Sequence, residues 1–227
     1  MIRFLTWDSD FFNITIGELG INSDITHLPE LENYELLYVI QKNKNKFKIH
    51  GFKESYCDER VVFQKSLTNI KPNTNDKVFS IKEIDISLDK LYHLAYISGV
   101  YSRFRLDTNF KKEQFEAIYR AWIDNSINFN ISRDLFVYKE SNKVKGFISF
   151  KILDGVGKIG LIAVDEEFQG LGVGKQLIEM VEWYCFKHKC FKLEIPTQAK
   201  NKKACNFYLK NGYEISRSEI IKHYWKK

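Results

Sequence analysis

The run Gln169-Gly170-Leu171-Gly172-Val173-Gly174 follows an apolar stretch at 159–164 and opens a segment with helical spacing. A glycine-rich turn between a strand and a helix start directs several backbone N–H groups at one point. The positive end of the helix dipole adds to them, and together they hold a diphosphate. Spacing excludes two familiar phosphate loops. A Walker loop needs Gly, four residues, then Gly-Lys-Ser/Thr; here Gly174-Lys175 is followed by Gln176, and Gln169 stands where the first glycine is required. A dinucleotide fingerprint needs G-x-G-x-x-G, and the sixth position counted from Gly170 is Lys175. A second residue of chemical interest is Tyr208, in Asn201-x-x-Ala204-x-x-Phe207-Tyr208-x-x-x-Gly212-Tyr213.

The pattern that remains, Gln/Arg-x-x-Gly-x-Gly/Ala, resembles the pyrophosphate loop of the GCN5-related N-acetyltransferase (GNAT) superfamily, where it binds coenzyme A. The resemblance implies acetyl-CoA or another acyl-CoA as co-substrate and no metal. It implies cofactor contacts from Gln169, Gly170, Leu171, Gly172, Val173, Gly174 and Lys175, and from Asn201, Ala204 and Tyr208. It also places Ile162, Ala163 and Val164 on a bulged strand that splays from its neighbour. Free backbone groups there pair with the pantetheine arm and hold the thioester carbonyl. Losing one such oxyanion donor costs about 3 kcal/mol. The family's usual proline is Glu166 here, a departure outside these contacts. Tyr208 falls where the family keeps a tyrosine beside the cofactor sulfur. A phenol titrates near ~10 and a thiol near ~8.5, so full transfer to the departing thiolate is uphill by about 2 kcal/mol. Tyr208 is therefore expected to donate a strong hydrogen bond, with the amine's own proton settling the balance. The general base is left open. His93, His188 and His223 sit in no recognisable frame, and deprotonation through water serves equally.

Other segments extend the likeness to nearly the full length. Leu5-Thr6-Trp7-Asp8 with Phe11-Phe12, Ser102-Arg103-Phe104-Arg105, Thr197-Gln198-x-x-Asn201 and the terminal Tyr224-Trp225 are similar to the bacterial dTDP-fucosamine acetyltransferases. These enzymes N-acetylate a nucleotide-linked amino-dideoxyhexose for surface polysaccharide such as the lipopolysaccharide O-antigen, and related members transfer larger acyl groups such as hydroxybutyryl. The implied acceptor is a dTDP-linked amino sugar. Arg103 and Arg105 would take its diphosphate, and Trp7, Phe11 and Phe12 would stack on base or sugar. Thr197 and Gln198 would line the amine's entry. Two rivals stay open: an N-acetyltransferase for peptides or small amines, and a coenzyme A-binding sensor or nucleic-acid module.

These residues need a scaffold, and the chain has material for one. Its 227 residues are 44% hydrophobic and 15% aromatic, with only 3 Pro, which suits a packed core. The net charge of +6 comes mostly from lysines scattered among acids. Such a surface is solvated rather than a nucleic-acid stripe, and it favours anionic small molecules. Cys57, Cys185, Cys190 and Cys205 form no C-x-x-C pair, so reduced thiols and a cytoplasmic location are expected. No signal-like segment opens the chain and no apolar run reaches membrane length. The sequence allows a homodimer without deciding it.

The polar, turn-rich stretch 69–77 suggests a boundary, giving a small α/β unit at 1–72 that shapes the acceptor pocket and a catalytic unit at 73–227. In the latter, periodicity predicts a strand at 78–84, helices at 87–98 and 112–127, and strands at 135–138, 146–152 and 157–164. The helix after the glycine loop, a strand at 191–195, a helix at 201–209 and strands at 213–215 and 220–225 follow. This order matches the GNAT acyltransferase fold, an α/β (α+β) class with a central mixed, mostly antiparallel sheet flanked by helices. A weak echo pairs 47–55 with 208–216 and aligns Phe47 with Tyr208. Both stretches read as a helix ending at glycine and entering a strand, which suggests that the small unit is a truncated GNAT-like half.

Overall fold

The structure, a computed structural model, describes residues 2–21, 31–44, 48–73 and 75–227. Its N-terminal elements are β1 (Arg3–Phe4), α1 (Thr6–Phe12), β2 (Ile16–Ile21), β3 (Leu36–Gln41) and β4 (Phe52–Ser66). Then come β5 (Val78–Ser80), α2 (Leu88–Ser98), α3 (Arg103–Leu106), α4 (Lys112–Ile127), β6 (Asp134–Glu140), β7 (Lys143–Leu153) and β8 (Val156–Val164). The chain closes with α5 (Val173–Lys187), β9 (Lys192–Gln198), α6 (Lys202–Lys210) and β10 (Glu214–Lys226). The expected fold class holds: one mixed sheet, mostly antiparallel, flanked by helices. Its strand order is β1-β2-β3-β10-β4-β9-β8-β7-β6-β5.

The turns that join β6–β8 form where short polar residues and glycine tolerate positive φ. Ser141 and Asn142 lie at +50° and +60°, Asp154 and Gly155 at +51° and +70°. The expected strand at 78–84 stops at Ser80. There the Glu83 carboxylate accepts from the Ser80 amide at 3.2 Å and the Glu83 amide returns to the Ser80 carbonyl at 3.0 Å. This local turn offers the backbone an alternative to the ladder. The two strands expected at 213–215 and 220–225 are one, β10, with register shifts at Ile215/Arg217 and His223/Tyr224. The segment carrying Arg103 and Arg105 is the short helix α3.

Strands of the two expected units interleave. β10 pairs antiparallel with both β3 and β4, and β4 pairs with β9. Of the suspected echo, Phe47 lies outside the described residues. Gly51 and Gly212 do share a positive φ, +78° and +81°, before strands that pair with each other. Residues 48–50 are not helical, so only the glycine turn and strand of the echo are seen.

β8 and β9 set the geometry of the site. They pair in parallel over three residues only, 156–158 with 192–194. Beyond that point β8 continues along β7 and β9 along β4, so a gap opens between them. A bulge bends β8 at this place. Its register against β7 shifts between Phe150/Ile159 and Ile148/Ile162, and the Leu161 amide freed by the bulge donates to Ser149 Oγ at 3.0 Å, as the hydrogen-bond demand of buried backbone requires. α5 packs on one face of the sheet through Leu177, Ile178 and Val181; α2, α3 and α4 cover the other through Leu91, Phe104 and Ile118.

Gly157 sits at the closed end of the gap, where a Cβ would lie 2.6 Å from Cys185 Sγ on α5 and 2.7 Å from Leu193 on β9. Gly157→Ala should therefore overpack this junction and lower stability by about 1–3 kcal/mol, read as a reduced denaturation midpoint in urea; an unchanged midpoint would show that the closed end is not tightly held.

Candidate active site

The glycine loop meets the open end of the gap. Gly170 and Gly172 have φ of +80° and +83°, a region that side chains with a Cβ avoid. A Cβ at Gly170 would meet nothing within 4 Å, so the backbone conformation, not space, requires glycine there. Gly174 differs. It is helical, and a Cβ would approach Phe207 on α6 at 3.2 Å, so its smallness lets α6 pack on α5. Gly172 caps α5. The first amide to close back on the chain is that of Gln176, on the Gly172 carbonyl at 3.1 Å. The preceding amides at the helix start are those a diphosphate would engage. Leu171 is 67% exposed at the loop tip. Lys175 stands in the first turn, 3.7 Å from Glu179.

Gln169 fastens the loop to its surroundings. Its Nε2 donates to the Val164 carbonyl at 3.0 Å, and its Oε1 accepts from Lys203 on α6. The Asp165 amide donates to the Lys145 carbonyl on β7 at 2.8 Å. Strand alternation then turns the N–H and C=O of Ala163 toward β7 and those of Ile162 and Val164 toward the gap. With the Val164 carbonyl taken by Gln169, the gap retains the Ile162 pair and the Val164 N–H.

Across the gap, Thr197 and Gln198 close β9, and Thr197 is buried. Asn201 caps α6; its Oδ1 accepts from the Ala204 amide at 3.1 Å, which occupies its acceptor atom in the fold. Tyr208 is buried on α6, its ring 5.3 Å from Phe63 and 5.5 Å from Phe207 between centroids. Burial raises its pKa well above a free phenol's, with the neighbouring Cys205 adding to the shift. The hydroxyl is protonated at neutral pH and is a donor.

The proposed acceptor residues separate. Trp7 is 44% exposed and stacks on Phe11 at 5.1 Å. Phe12 is buried between Phe104 and Phe110, so its ring serves the core and Trp7 is the aromatic left at the surface. Arg103 and Arg105 do not converge. Two residues apart on a helix, they diverge: the Arg103 guanidinium lies 3.8 Å over the Tyr38 ring and that of Arg105 lies 5.6 Å over Phe115.

Residues 97–213 match the model of the Acetyltransferase (GNAT) family. The chain belongs to the GNAT family. It is similar in fold to a putative GNAT acetyltransferase from Novosphingobium aromaticivorans, at 8% identity and a TM-score of 0.58, over 85% of this chain and 74% of that one. A functionally unknown conserved protein from Staphylococcus epidermidis matches at 14% identity and a TM-score of 0.59, over 94% and 85% of the two chains. A tandem GNAT protein from the clavulanic acid biosynthesis pathway matches at 12% identity and 0.52, over 86% and 66%. No curated protein matches the chain. Family membership makes it an acyl-CoA-dependent transferase of the GNAT type, with acyl-CoA as co-substrate.

On the sheet face that α3 covers lies a pair that spacing did not reveal. His223 on β10 and Asp107, just after α3, are both fully buried, with Nδ1 and Oδ2 2.6 Å apart. Asp107 Oδ2 also accepts from Trp225 Nε1 at 2.9 Å and Ser55 Oγ at 2.9 Å, and Oδ1 from the Asn109 amide at 3.1 Å. Burial works against ionising Asp107, but the bonds from His223, Trp225 and Asn109 prevail and hold its pKa far below the ordinary value. Burial pushes His223 down to about 4, with Arg103 contributing and Asp107 opposing. His223 is thus neutral and donates its Nδ1–H to an ionised carboxylate. No local signal joins residues 116 positions apart, and His223 stood in the sequence only as one of three histidines in no recognisable frame.

Gly172→Ala should strain the loop and raise the Kd for coenzyme A about tenfold, measured by calorimetry; unchanged affinity would remove the loop from the binding site. The His223 environment gives a second test. Above the unfolded pKa of 6.5 folded and unfolded chains carry this histidine alike; as pH falls toward about 4 only the unfolded one takes the proton. Stability should drop through this window by about 3 kcal/mol from this group. Urea titrations at stepped pH should show the slope and its flattening in His223→Gln; equal slopes would refute the assignment.

Proposed function

We propose that this GNAT enzyme moves an acetyl or larger acyl group, such as hydroxybutyryl, from acyl-CoA to the amine of a dTDP-linked amino-dideoxyhexose. The product would enter surface polysaccharide, and the reaction would run in the cytoplasm. The observation that carries the acceptor class is Arg103. The residue is partly buried, its guanidinium rests on an aromatic ring, and it has no carboxylate within 4 Å among the described residues. An unpaired cation so placed fits an anionic acceptor such as a nucleoside diphosphate. The exposed Trp7, on α1, offers a face for a base. Asp8 beside it is close enough to Arg103 for the guanidinium to lower its pKa, against the larger raising effect of burial. This supports a pocket between α1 and α3, to which residues 1–72 contribute.

The chemistry follows from the gap. The sugar amine attacks the thioester carbonyl directly, and charge building on the carbonyl oxygen is met by backbone N–H groups at 162 and 164. As the carbon–sulfur bond breaks, the Tyr208 hydroxyl donates a hydrogen bond to sulfur. Its raised pKa keeps that proton on the phenol, so the proton balance is completed by the one lost from the amine.

Tyr208→Phe should cut kcat about a hundredfold and leave coenzyme A affinity within about twofold. Turnover equal to wild type would remove the role of Tyr208. Mass spectrometry of products from dTDP-amino sugars, peptides and small amines tests the acceptor; acylation of peptides with none of any sugar would defeat the nucleotide-sugar reading.

A further inference from the structure

Tyr38 on β3, His223 on β10 and Tyr56 on β4 are cross-strand neighbours in one row of the sheet. Ring centroids lie 4.8 Å apart for Tyr38 and His223, and 5.0 Å for Tyr56 and His223. The Tyr56 hydroxyl is used, donating to Asp58 at 3.0 Å. The other two rings end in atoms with no hydrogen-bond partner among the described residues: Tyr38 Oη and His223 Nε2, both on residues 0% exposed. Leaving a buried polar atom unpaired costs about 1–3 kcal/mol, so two side by side ask for an explanation in what they bind. Over the Tyr38 ring lies the guanidinium of Arg103, the one residue of the three that is not fully buried.

The chemistry of the three atoms is complementary to one kind of ligand. With Nδ1–H given to Asp107, Nε2 carries a lone pair and accepts. Tyr38 Oη donates or accepts, and Arg103 donates and carries charge. We propose that His223 Nε2, Tyr38 Oη and Arg103 form a subsite that recognises a ring hydroxyl and its adjoining phosphate on the acceptor. This rests on the nucleotide-sugar reading and specifies its contacts. A phosphate outside Arg103 draws the guanidinium off the Tyr38 ring and admits a hydroxyl to Nε2. The reacting amine enters elsewhere, from the gap between β8 and β9, since Arg103 repels an ammonium. His223 is a recognition residue here and not the base: its depressed basicity suits accepting a hydrogen bond and not removing an amine proton.

The test is imidazole ¹⁵N NMR of the full chain at neutral pH, with His223 assigned by its loss in His223→Gln. The probes are dTDP-glucose, dTDP and glucose 1-phosphate. The expected result is an upfield shift of His223 Nε2 with dTDP-glucose and none with dTDP, and dTDP-glucose binding about tenfold weaker in Arg103→Ala. A shift with glucose 1-phosphate while neither dTDP ligand binds would uphold the subsite and end the nucleotide reading. A shift with dTDP equal to that with dTDP-glucose, or no shift with any sugar phosphate, would overturn the subsite. The shifts that decide are read on the wild-type chain, so a folding defect in Arg103→Ala does not alter them.

Discussion

The separation of β8 from β9 after three paired residues governs the rest of this molecule. A parallel pair held at one end and open at the other leaves backbone N–H and C=O groups facing a gap instead of a neighbour. The fold enforces the separation from both ends. At the closed end Gly157 lets Cys185 of α5 come close to the sheet. Just beyond, the bulge in β8 turns the strand, and Ser149 takes the amide that the bulge releases. At the open end Gln169 ties the glycine loop to Val164, so the start of α5 and the free edge of β8 are one unit. The free edge of β8 and the start of α5 are thus the backbone donors that the proposed cofactor contacts would use.

The two faces of the sheet then divide the work. α5 and α6 lie beside the glycine loop, and the small Gly174 leaves room for Phe207 of α6, the neighbour of Tyr208. The opposite face carries α2, α3 and α4, with Arg103 over Tyr38 and Asp107 under His223. β10 joins the two halves. It lies between β3 and β4, so a C-terminal strand presents His223 to a tyrosine on each side. The interleaving puts strands of the N-terminal segment and of the catalytic segment side by side in one sheet.

Features set by local chain chemistry were readable from sequence. The glycine loop was visible because positive φ restricts the residue type, and the strands at 135–138, 146–152 and 157–164 because their apolar pattern breaks between them. The helices at 87–98 and 112–127 followed from apolar periodicity, to within a residue at their starts. What pairing alone decides was not readable. Nothing in 52–66 says that this strand sits between β9 and β10, and nothing in Asp107 says that it meets His223. Phe12 read as a stacking surface because an aromatic beside Trp7 has no sequence mark for inside or outside; its contacts with Phe104 and Phe110 depend on α3, a helix too short for periodicity to show. Arg103 and Arg105 read as a clamp, and that same helix turned them apart.

Amide hydrogen exchange with and without coenzyme A probes the gap most directly. Binding against the open edge of β8 and the start of α5 predicts slowed exchange at 162, 164 and 170–175, with no change at 156–158, where the sheet is already paired. Slowed exchange elsewhere in the chain, with none at these amides, would contradict the placement of the cofactor between the parted strands.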